Sequence, residues 1–561
     1  MRQPNRLPWF SRTTKTGGLS RAVNLENVME TNVLYYGDNL EILRKYIPDS
    51  SVDLVYLDPP FNSRKDYNIL FRENDAQWSP AQIKAFEDTW RWDTEAEAIY
   101  QDIIINGPTK LAKLVSAMRD GIGTNDVMAY LVMMAARLID LHRVLKPTGS
   151  LYLHCDPTAS HYLKLVLDQI FGPTNFRNEI VWKRTSAHSD VVQGARHYGR
   201  IHDTILLFTK GTNPTWNTDY IPYDDEYVEQ IYRYIDQDGR RYQTQPLHAA
   251  KPGGDTLYEW KGKFPPPGRY WAFSRANMEN LEQQGRIVYS GKGVPRYKIY
   301  LDKSQGVPAQ DVWLDVSPVH YNPKERLGYP TQKPSALLER IVKVSSNEGD
   351  IVLDPFCGCG TALVAAQKLN RKWIGIDITH LAIAVMKRRL SDHFPGIQFK
   401  VIGEPADFPS AKELAKQDRY QFQWWALSLI GARPVGDKKK GADQGIDGVI
   451  PFPDDGGAKL KRVIVQVKSG HVGVKDIREL RTVASNDAIG VLLTLEPPTQ
   501  PMKTEAAEAG FYDSPLWQKK FPKLQILTIE EVLAGKQPHI PSPAPPPKAA
   551  RMKQAKQANL M

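Results

Sequence analysis

The segment at 350–378, DIVLDPFCGCGTALVAAQKLNRKWIGIDI, constrains the fold of this 561-residue chain more than any other stretch. Ile351–Leu353 and Lys372–Ile376 are compact apolar runs typical of buried strands, and Thr361–Leu369 has helical spacing. A glycine-rich turn joins the first strand to the helix. A strand, a glycine turn, a helix and a second strand in this order predict an α/β fold.

The glycine turn and the acid after the second strand predict a ligand site. Gly358 and Gly360 allow a ligand to approach the backbone closely. Asp377 follows Gly358 by 19 residues, and a carboxylate at that place can accept hydrogen bonds from both hydroxyls of a ribose. Leu363 stands where the dinucleotide fingerprint has its third glycine, so a ligand with an adenosine and an amino-acid moiety is favoured over a pyrophosphate. The alternative is a tight turn without a ligand.

A second candidate site follows the apolar run Val52–Leu57, which predicts a buried strand. Asp58, Pro59, Pro60 and Phe61 come directly after it. The prolines stiffen the turn and remove two backbone donors, which leaves carbonyls and a carboxylate as acceptors beside an aromatic ring. An exocyclic amino group has two N–H donors, so the carboxylate and a carbonyl can accept both while the ring stacks on the base. The alternative is a rigid turn with a capping aspartate.

Together these motifs resemble the amino-group DNA methyltransferases that use S-adenosylmethionine. The DPPF at 58–61 and the DPFCGCGT at 354–361 are accompanied by Gly37-Asp38 before the catalytic strand and by TQKP at 331–334. The order is catalytic motif, target-recognition region and cofactor motif, as in the β class of the family. The resemblance covers roughly residues 31–400.

This resemblance implies a Rossmann-like, seven-stranded sheet with helices on both faces and the active site at its switch point. It implies that Asp58, Pro59, Pro60 and Phe61 hold the target base as catalytic residues. Adenine is favoured over cytosine, because DPPF usually accompanies adenine in the family. The residues that it assigns to S-adenosylmethionine are Asp38, Thr331, Lys333, Pro334, Asp354, Phe356, Gly358, Gly360, Thr361 and Asp377. Within this set, Asp38 is expected near the adenine of the cofactor, and residues 331–334 near its methionine end.

The chain carries 73 Lys and Arg against 63 Asp and Glu, a net charge of +10 that favours a polyanionic partner. Double-stranded DNA is the expected partner, with its target base flipped out of the stack. The loop-rich insert at 184–325, rich in aromatic and basic residues, is the predicted reader of the DNA sequence. The oligomeric state is not determined by the sequence, and a homodimer is left open.

A third candidate site lies in the C-terminal part of the chain. Asp447 ends a Gly-Ile-Asp turn, and Gln466-Val467-Lys468 ends an apolar run 19 residues later. This resembles the PD-(D/E)xK nucleases, and most closely the Mrr-like restriction group. The resemblance implies Mg²⁺ at Asp447 and the Val467 carbonyl, Gln466 as a neutral ligand and Lys468 near the reacting water.

The preceding helix, Tyr420–Ile430, lacks the acid that often completes such a nuclease site. Three interpretations therefore stay open for this part of the chain: an active endonuclease, a DNA-binding relic, or an unrelated α/β module.

Three cysteines exclude both a disulfide scaffold and a closed zinc site. The sequence has no signal-peptide core and no apolar run long enough for a membrane helix, so a cytoplasmic protein without a membrane partner is expected. The predicted divisions are a flexible basic arm (1–30), a methyltransferase domain (31–402), a linker (403–418), a smaller α/β restriction-endonuclease-like domain (419–535) and a disordered basic tail (536–561).

The sequence thus predicts a site-specific adenine DNA methyltransferase of a restriction–modification system. One alternative is a cytosine amino-group DNA methyltransferase with a catalytically silent DNA-binding C-terminal domain. RNA or protein methylation and DNA binding by an inactive transferase fold are the others.

Overall fold

The computed structural model describes residues 29–60, 66–72, 78–87, 91–157, 159–185, 194, 196–251, 253–319, 325–327, 329, 331–435, 446–454, 460–484 and 488–541. Most of the predicted arm and tail lies outside these ranges. No helix within them is long and apolar enough to cross a membrane.

The first part of the chain alternates helices and strands around one large sheet. Its elements up to residue 183 are β1 (Val33–Tyr36), α1 (Asn39–Tyr46), β2 (Val52–Leu57), β3 (Asp66–Arg72), β4 (Trp78–Glu87), α2 (Thr94–Asn106), α3 (Thr109–Ile122), α4 (Asp126–Val144), β5 (Leu145–Cys155), α5 (Ser160–Phe171) and β6 (Phe176–Lys183). Strands β3 and β4 pair as an antiparallel hairpin.

The region from 202 to 313 contains mostly short strands. They and the two helices among them are β7 (His202–Thr209), β8 (Tyr220–Ile221), α6 (Asp225–Ile231), β9 (Tyr234–Ile235), β10 (Arg241–Pro246), β11 (His248–Ala249), β12 (Tyr270–Trp271), α7 (Arg275–Gln283), β13 (Ile287–Tyr289), β14 (Pro295–Tyr300), β15 (Val307–Pro308) and β16 (Val312–Trp313). The first domain then continues with α8 (Ser335–Ser345), β17 (Ile351–Asp354), α9 (Thr361–Lys368), β18 (Lys372–Asp377), α10 (His380–His393) and β19 (Lys400–Ile402).

The large sheet has nine strands in the order β16-β6-β7-β5-β2-β17-β18-β1-β19. The six strands from β5 to β19 in this order run parallel, and β7 is antiparallel to both of its neighbours. The predicted α/β class is confirmed. The count of seven strands is corrected to nine, and short strands at the two edges, β16 and β19, make up the difference.

Apolar side chains form a core on each face of this sheet. One core contains side chains from helices α1 to α5, and the other contains side chains from α8 to α10. Helices therefore cover both faces, as predicted. Because β2, β17 and β18 are parallel neighbours, their carboxyl ends meet at one edge of the sheet.

The predicted irregular insert has a regular core. Strands β13, β14, β10 and β9 form a four-stranded antiparallel sheet. A small cluster of buried apolar side chains packs beside it, with Trp260, Trp271 and Met278 among its members. The sequence did not predict these strands, because they are short and alternate aromatic with charged or polar residues.

The second domain is built on a mixed five-stranded sheet, β20-β21-β22-β23-β26. Its elements are α11 (Phe408–Gln417), α12 (Arg419–Leu429), β20 (Arg433–Pro434), β21 (Gly448–Pro453), β22 (Leu460–Lys468), α13 (Val474–Val483), β23 (Ala488–Thr494), α14 (Gln500–Glu508), β24 (Phe511–Ser514), β25 (Lys519–Pro522), β26 (Leu524–Thr528) and α15 (Ile529–Leu533). Helix α11 lies within the predicted linker at 403–418, yet Ala411 and Leu414 are buried in the core of this domain. The connection between the domains is shorter than the sequence indicated.

Candidate active site

The glycine loop after β17 is tied to the end of β18. The Gly358 N–H donates to the Asp377 carboxylate at 2.9 Å, and the Cys357 N–H donates to the Ile376 carbonyl at 3.1 Å. Gly358 has φ +49°, and a Cβ there would stand 3.3 Å from the Tyr329 ring. The loop therefore needs glycine both for its backbone conformation and for its packing.

Two of the predicted cofactor-binding acids have raised pKa values: Asp354 is buried, and Asp377 is partly buried. Burial raises the pKa of Asp377 to about 6, against the hydrogen bonds that it accepts from Thr379 and the loop backbone. Burial also raises the pKa of Asp354 well above its usual value, although the Phe356 N–H donates to this carboxylate. Asp377 is thus an ionised acceptor at neutral pH that becomes protonated in mild acid.

The catalytic and TQKP motifs meet at the end of β2. The Lys333 ammonium donates to the Asp58 carboxylate, and both side chains are more than four-fifths buried. They lie 275 residues apart in sequence, so the fold alone brings them together. Phe61, the fourth residue of the predicted base-holding motif, lies outside the described residues.

A pocket opens between these motifs, at the carboxyl ends of β2 and β17. Its lining consists of Tyr56, Asp58, Tyr329, Thr331, Lys333, Leu338, Asp354, Phe356, Cys357, Gly358, Cys359, Thr361 and Ala362. Seven of the predicted residues are in this set: Asp58, Thr331, Lys333, Asp354, Phe356, Gly358 and Thr361. Six described ones are not: Asp38, Pro59, Pro60, Pro334, Gly360 and Asp377. Cys357 and Cys359 of the glycine loop also line the pocket.

Asp38 forms part of a network that supports the site. It caps helix α1 by accepting from the Leu40 N–H at 2.8 Å, and its other oxygen accepts from Arg137 at 2.6 Å. Arg137 is buried and also donates to Asn39, whose amide donates to the Pro355 carbonyl at 2.8 Å. The network links the Gly-Asp-Asn turn before α1 to the cofactor loop.

Arg389 supports the other side of the loop. This buried residue of α10 donates to the Cys359 carbonyl at 3.0 Å and to the Thr361 hydroxyl at 2.9 Å. Arg137, Arg389 and Tyr329 were all missed by the sequence analysis. Each contacts a motif from a distant part of the chain, and no local spacing marks it.

The second domain brings part of the predicted nuclease site together. The Val467 N–H donates to the Asp447 carboxylate at 2.7 Å, so the two predicted ends of the motif are adjacent. Lys468 forms an ion pair with Asp476 of α13 at 3.1 Å. In the part of the chain that the structure describes, no three His, Cys, Asp or Glu side chains form a cluster that could hold a metal ion. The described α12 carries no acid.

The two domains touch beside the cofactor loop. The Gln421 side chain of α12 accepts from the His380 N–H at the start of α10, at 3.0 Å. Trp424, also on α12, packs against a cluster formed by Tyr329, Cys359 and Leu381. Helix α12 of the second domain thus covers residues that border the pocket.

A family model described as DNA methylase, of the N6 and N4 type, matches residues 52–388, more than half of the chain. The chain belongs to this DNA methylase family. A second family model, described as restriction endonuclease, matches residues 414–514. The N6/N4 methylase is therefore joined to an Mrr-type restriction endonuclease domain, as the sequence predicted.

Named relatives of this methylase agree with the family. The type II methyltransferase M.EcaI of Enterobacter cloacae is 37% identical over 365 residues, covering 64% of this chain and 70% of that protein. The DNA adenine methyltransferase YhdJ of Escherichia coli K12 is 26% identical, covering 69% of this chain and 87% of that protein. Among solved structures, the cytosine-N4-specific PvuII DNA methyltransferase is 14% identical with a TM-score of 0.32, covering 66% of this chain and 89% of that chain.

The pocket fits the S-adenosylmethionine of this family in its chemistry. Gly358 and Gly360 have positive φ angles that favour glycine, and Gly358 lines the pocket with its backbone alone, so a ligand could approach closely there. Asp377 offers partly exposed carboxylate oxygens suited to ribose hydroxyls. Lys333 and Asp58 place opposite charges in the pocket, and such charges suit the carboxylate, ammonium and sulfonium groups of this cofactor.

Proposed function

We propose that this methylase modifies the exocyclic amino group of adenine in duplex DNA. The observation that carries the proposal is the position of Asp58, at the end of β2 and in the same pocket as the cofactor loop. A carboxylate can accept from an amino N–H while an electrophile approaches the nitrogen from the cofactor side.

The residues of the site have distinct roles in this proposal. S-adenosylmethionine, when bound, supplies an electrophilic methyl group. Asp58 and the Pro59 carbonyl accept the two N–H groups of the target amine, which draws its lone pair out of conjugation with the ring. Pro60 keeps the turn rigid, and Phe61 stacks on the base. Lys333 balances the charge of Asp58 and would bind the methionine end of the cofactor.

Adenine is favoured over cytosine by two observations. The turn has the sequence DPPF, which in this family usually accompanies adenine. The relative YhdJ, of which the chain covers 87%, is named a DNA adenine methyltransferase.

The experiment is methyl transfer from labelled cofactor to duplex DNA, followed by mass spectrometry of the digested nucleosides. We expect N6-methyladenine, and its loss in Asp58→Ala with cofactor binding retained. Detection of N4-methylcytosine instead would identify cytosine, the alternative base, as the target. Preferred labelling of RNA or protein would contradict a DNA substrate, and DNA binding with no labelling at all would indicate an inactive transferase fold.

We propose in addition that the second domain is a Mg²⁺-dependent endonuclease. Asp447 would hold the metal together with the Val467 carbonyl, and Lys468 would stabilise developing charge. The Gln466 side chain supports a ligand at this place, because its buried carbonyl oxygen has no hydrogen-bond partner among the described residues. A site with one charged ligand would bind Mg²⁺ weakly.

Plasmid cleavage tests this second proposal. Unmethylated DNA is incubated with Mg²⁺ and either the intact protein or Asp447→Ala, and DNA methylated beforehand by the protein itself is treated in parallel. We expect cleavage that requires Asp447 and spares methylated DNA. Intact methyl transfer without any cleavage would instead assign this domain to DNA binding alone.

A further inference from the structure

A buried chain of three side chains starts at the wall of the pocket. The Tyr56 hydroxyl of β2 lies 3.1 Å from Nδ1 of His154 on β5, and Nε2 of His154 lies 3.1 Å from the Asp203 carboxylate on β7. All three residues are at most 5% exposed. Three neighbouring strands of the large sheet thus contribute one residue each.

The acid at the far end sets the direction of these hydrogen bonds. Burial opposes the charge of Asp203, but the hydrogen bond with His154 and nearby cations hold the pKa of this carboxyl below its usual value. One of these cations, Arg184, lies 3.3 Å from it. An ionised carboxylate only accepts, so Nε2 of His154 donates to Asp203. In the neutral imidazole, Nδ1 then accepts the Tyr56 proton.

This direction turns the oxygen of Tyr56 into an acceptor. The hydroxyl proton points at His154, and the lone pairs of the hydroxyl oxygen take no part in that hydrogen bond. Tyr56 lines the pocket and lies two residues before Asp58. Residues two apart along a strand point to the same face of the sheet. An acceptor in that place attracts an N–H group or a growing positive charge on a bound substrate, and repels a substrate carbonyl oxygen.

We infer that His154 and Asp203 are positioning residues, which hold the Tyr56 hydroxyl with its lone pairs toward the amine that is methylated, while Asp58 and the Pro59 carbonyl accept the two N–H groups of that amine. The inference rests on the proposed function. During transfer the amine nitrogen forms a bond to the methyl carbon, and the electron pair of the broken bond stays on sulfur. The nitrogen carries the positive charge until it loses one proton to water. An acceptor held in place by the protein stabilises that charge without reorganisation.

Tyr56→Phe is the central variant, because it removes the oxygen and keeps the ring. Tyr152→Phe is the matched control: Tyr152 pairs with Tyr56 in register on β5 and is equally buried, but its hydroxyl bonds Ser345 at 2.7 Å. We expect Tyr56→Phe to lower kcat roughly 10- to 100-fold, because an oriented dipole next to the growing charge is lost, with the cofactor Kd unchanged. Tyr152→Phe should retain kcat.

Variants of His154 test the positioning role. His154→Ala should lower kcat about as much as Tyr56→Phe, and the double variant should be no worse than either single one. His154→Asn, which keeps an acceptor near the Nδ1 position, should recover part of the lost turnover. Additive losses in the double variant would overturn the inference, since they would mean that the two residues act separately.

DNA binding gives a readout that does not depend on turnover. The methylated site is first read from the product of the intact protein, and duplexes are made with adenine or with purine, which lacks the amino group, at that position. The preference for adenine over purine should shrink in Tyr56→Phe relative to the intact protein. Absence of transfer by the intact protein would refute the proposed function. Normal kcat and an unchanged preference in Tyr56→Phe would refute this inference alone.

Discussion

The Gly358 N–H and the Asp377 carboxylate form a 2.9 Å hydrogen bond that joins two ends of the cofactor motif. One residue lies in the turn after β17 and the other at the end of β18. The acid that is suited to a ribose therefore also holds the loop on which the rest of the ligand would rest. A change at either residue alters both the ligand contact and the loop.

Gly358→Ala should weaken cofactor binding about tenfold or more. Alanine at φ +49° is strained by about 1 kcal/mol or more, and its Cβ would press on the Tyr329 ring at 3.3 Å. Calorimetric titration with the cofactor measures the change. Gly396→Ala is the control, because Gly396 has φ +83° but open space around its Cβ position, so its affinity should stay normal. Equal affinities for both variants would contradict the role of this loop.

Cofactor affinity should fall as the pH drops below about 6. Burial raises the pKa of Asp377 to about 6, so the carboxylate is ionised at pH 7 and protonated in mild acid, where it loses its capacity as a full acceptor. A binding site that requires the ionised form would lose about tenfold in affinity at pH 5. Titrations between pH 5 and 7 test this, and Asp377→Asn should bind weakly with little dependence on pH. If the cofactor affinity of Asp377→Asn fell with decreasing pH as steeply as that of the intact protein, another group would be responsible for the pH dependence.

Lys333→Met should lower methyl transfer at least about tenfold. The substitution removes the cation beside Asp58 and leaves that carboxylate unpaired near the buried Asp354, at a cost of about 1.5–3 kcal/mol. Transfer rates and cofactor affinity are measured together. Lys343→Met serves as the comparison, since Lys343 pairs with Asp219 at the surface with 59% of its side chain exposed and should matter little. Full activity in Lys333→Met would remove this lysine from the site.

Arg137→Met should destabilise the first domain by about 3 kcal/mol. The guanidinium is 5% exposed and supports both Asp38 and Asn39, so its removal leaves a carboxylate and an amide without their partner. Urea unfolding followed by fluorescence measures the loss. Arg388→Met, which removes an exposed pair with Asp392 on α10, should change stability by less than about 0.5 kcal/mol. Comparable values for the two variants would mean that the buried network contributes no more than the surface pair.

The large sheet and the acids of the site followed from local sequence patterns. Asp58, Asp354 and Asp377 each end or follow an apolar strand within a few residues of a proline or glycine turn, and such signals need no knowledge of distant contacts. The resemblance carried by these motifs and their order then implied a sheet with helices on both faces and a site at its switch point. The carboxyl ends of the strands converge because neighbouring strands in a parallel sheet point the same way.

The supporting residues could not be found in this way. His154 lies 98 residues from Tyr56 and 49 from Asp203, and Arg137 lies 99 from Asp38. Their partners are set by which strands and helices become neighbours, and no spacing along the chain encodes that. The sheet of the insert was missed for a different reason, because its short strands are stabilised by pairing and by a small core rather than by long apolar runs.

The contact of Trp424 with Tyr329 and Leu381 has a consequence for separating the two domains. A methylase cut before α12 would expose apolar side chains at the back of its own cofactor loop, and would lose the Gln421 acceptor at the start of α10. The nuclease-like domain therefore also supports the structure of the methylase domain, whatever it does to DNA. A methylase without this domain would need other residues to cover the same apolar side chains, which favours keeping both domains in one polypeptide.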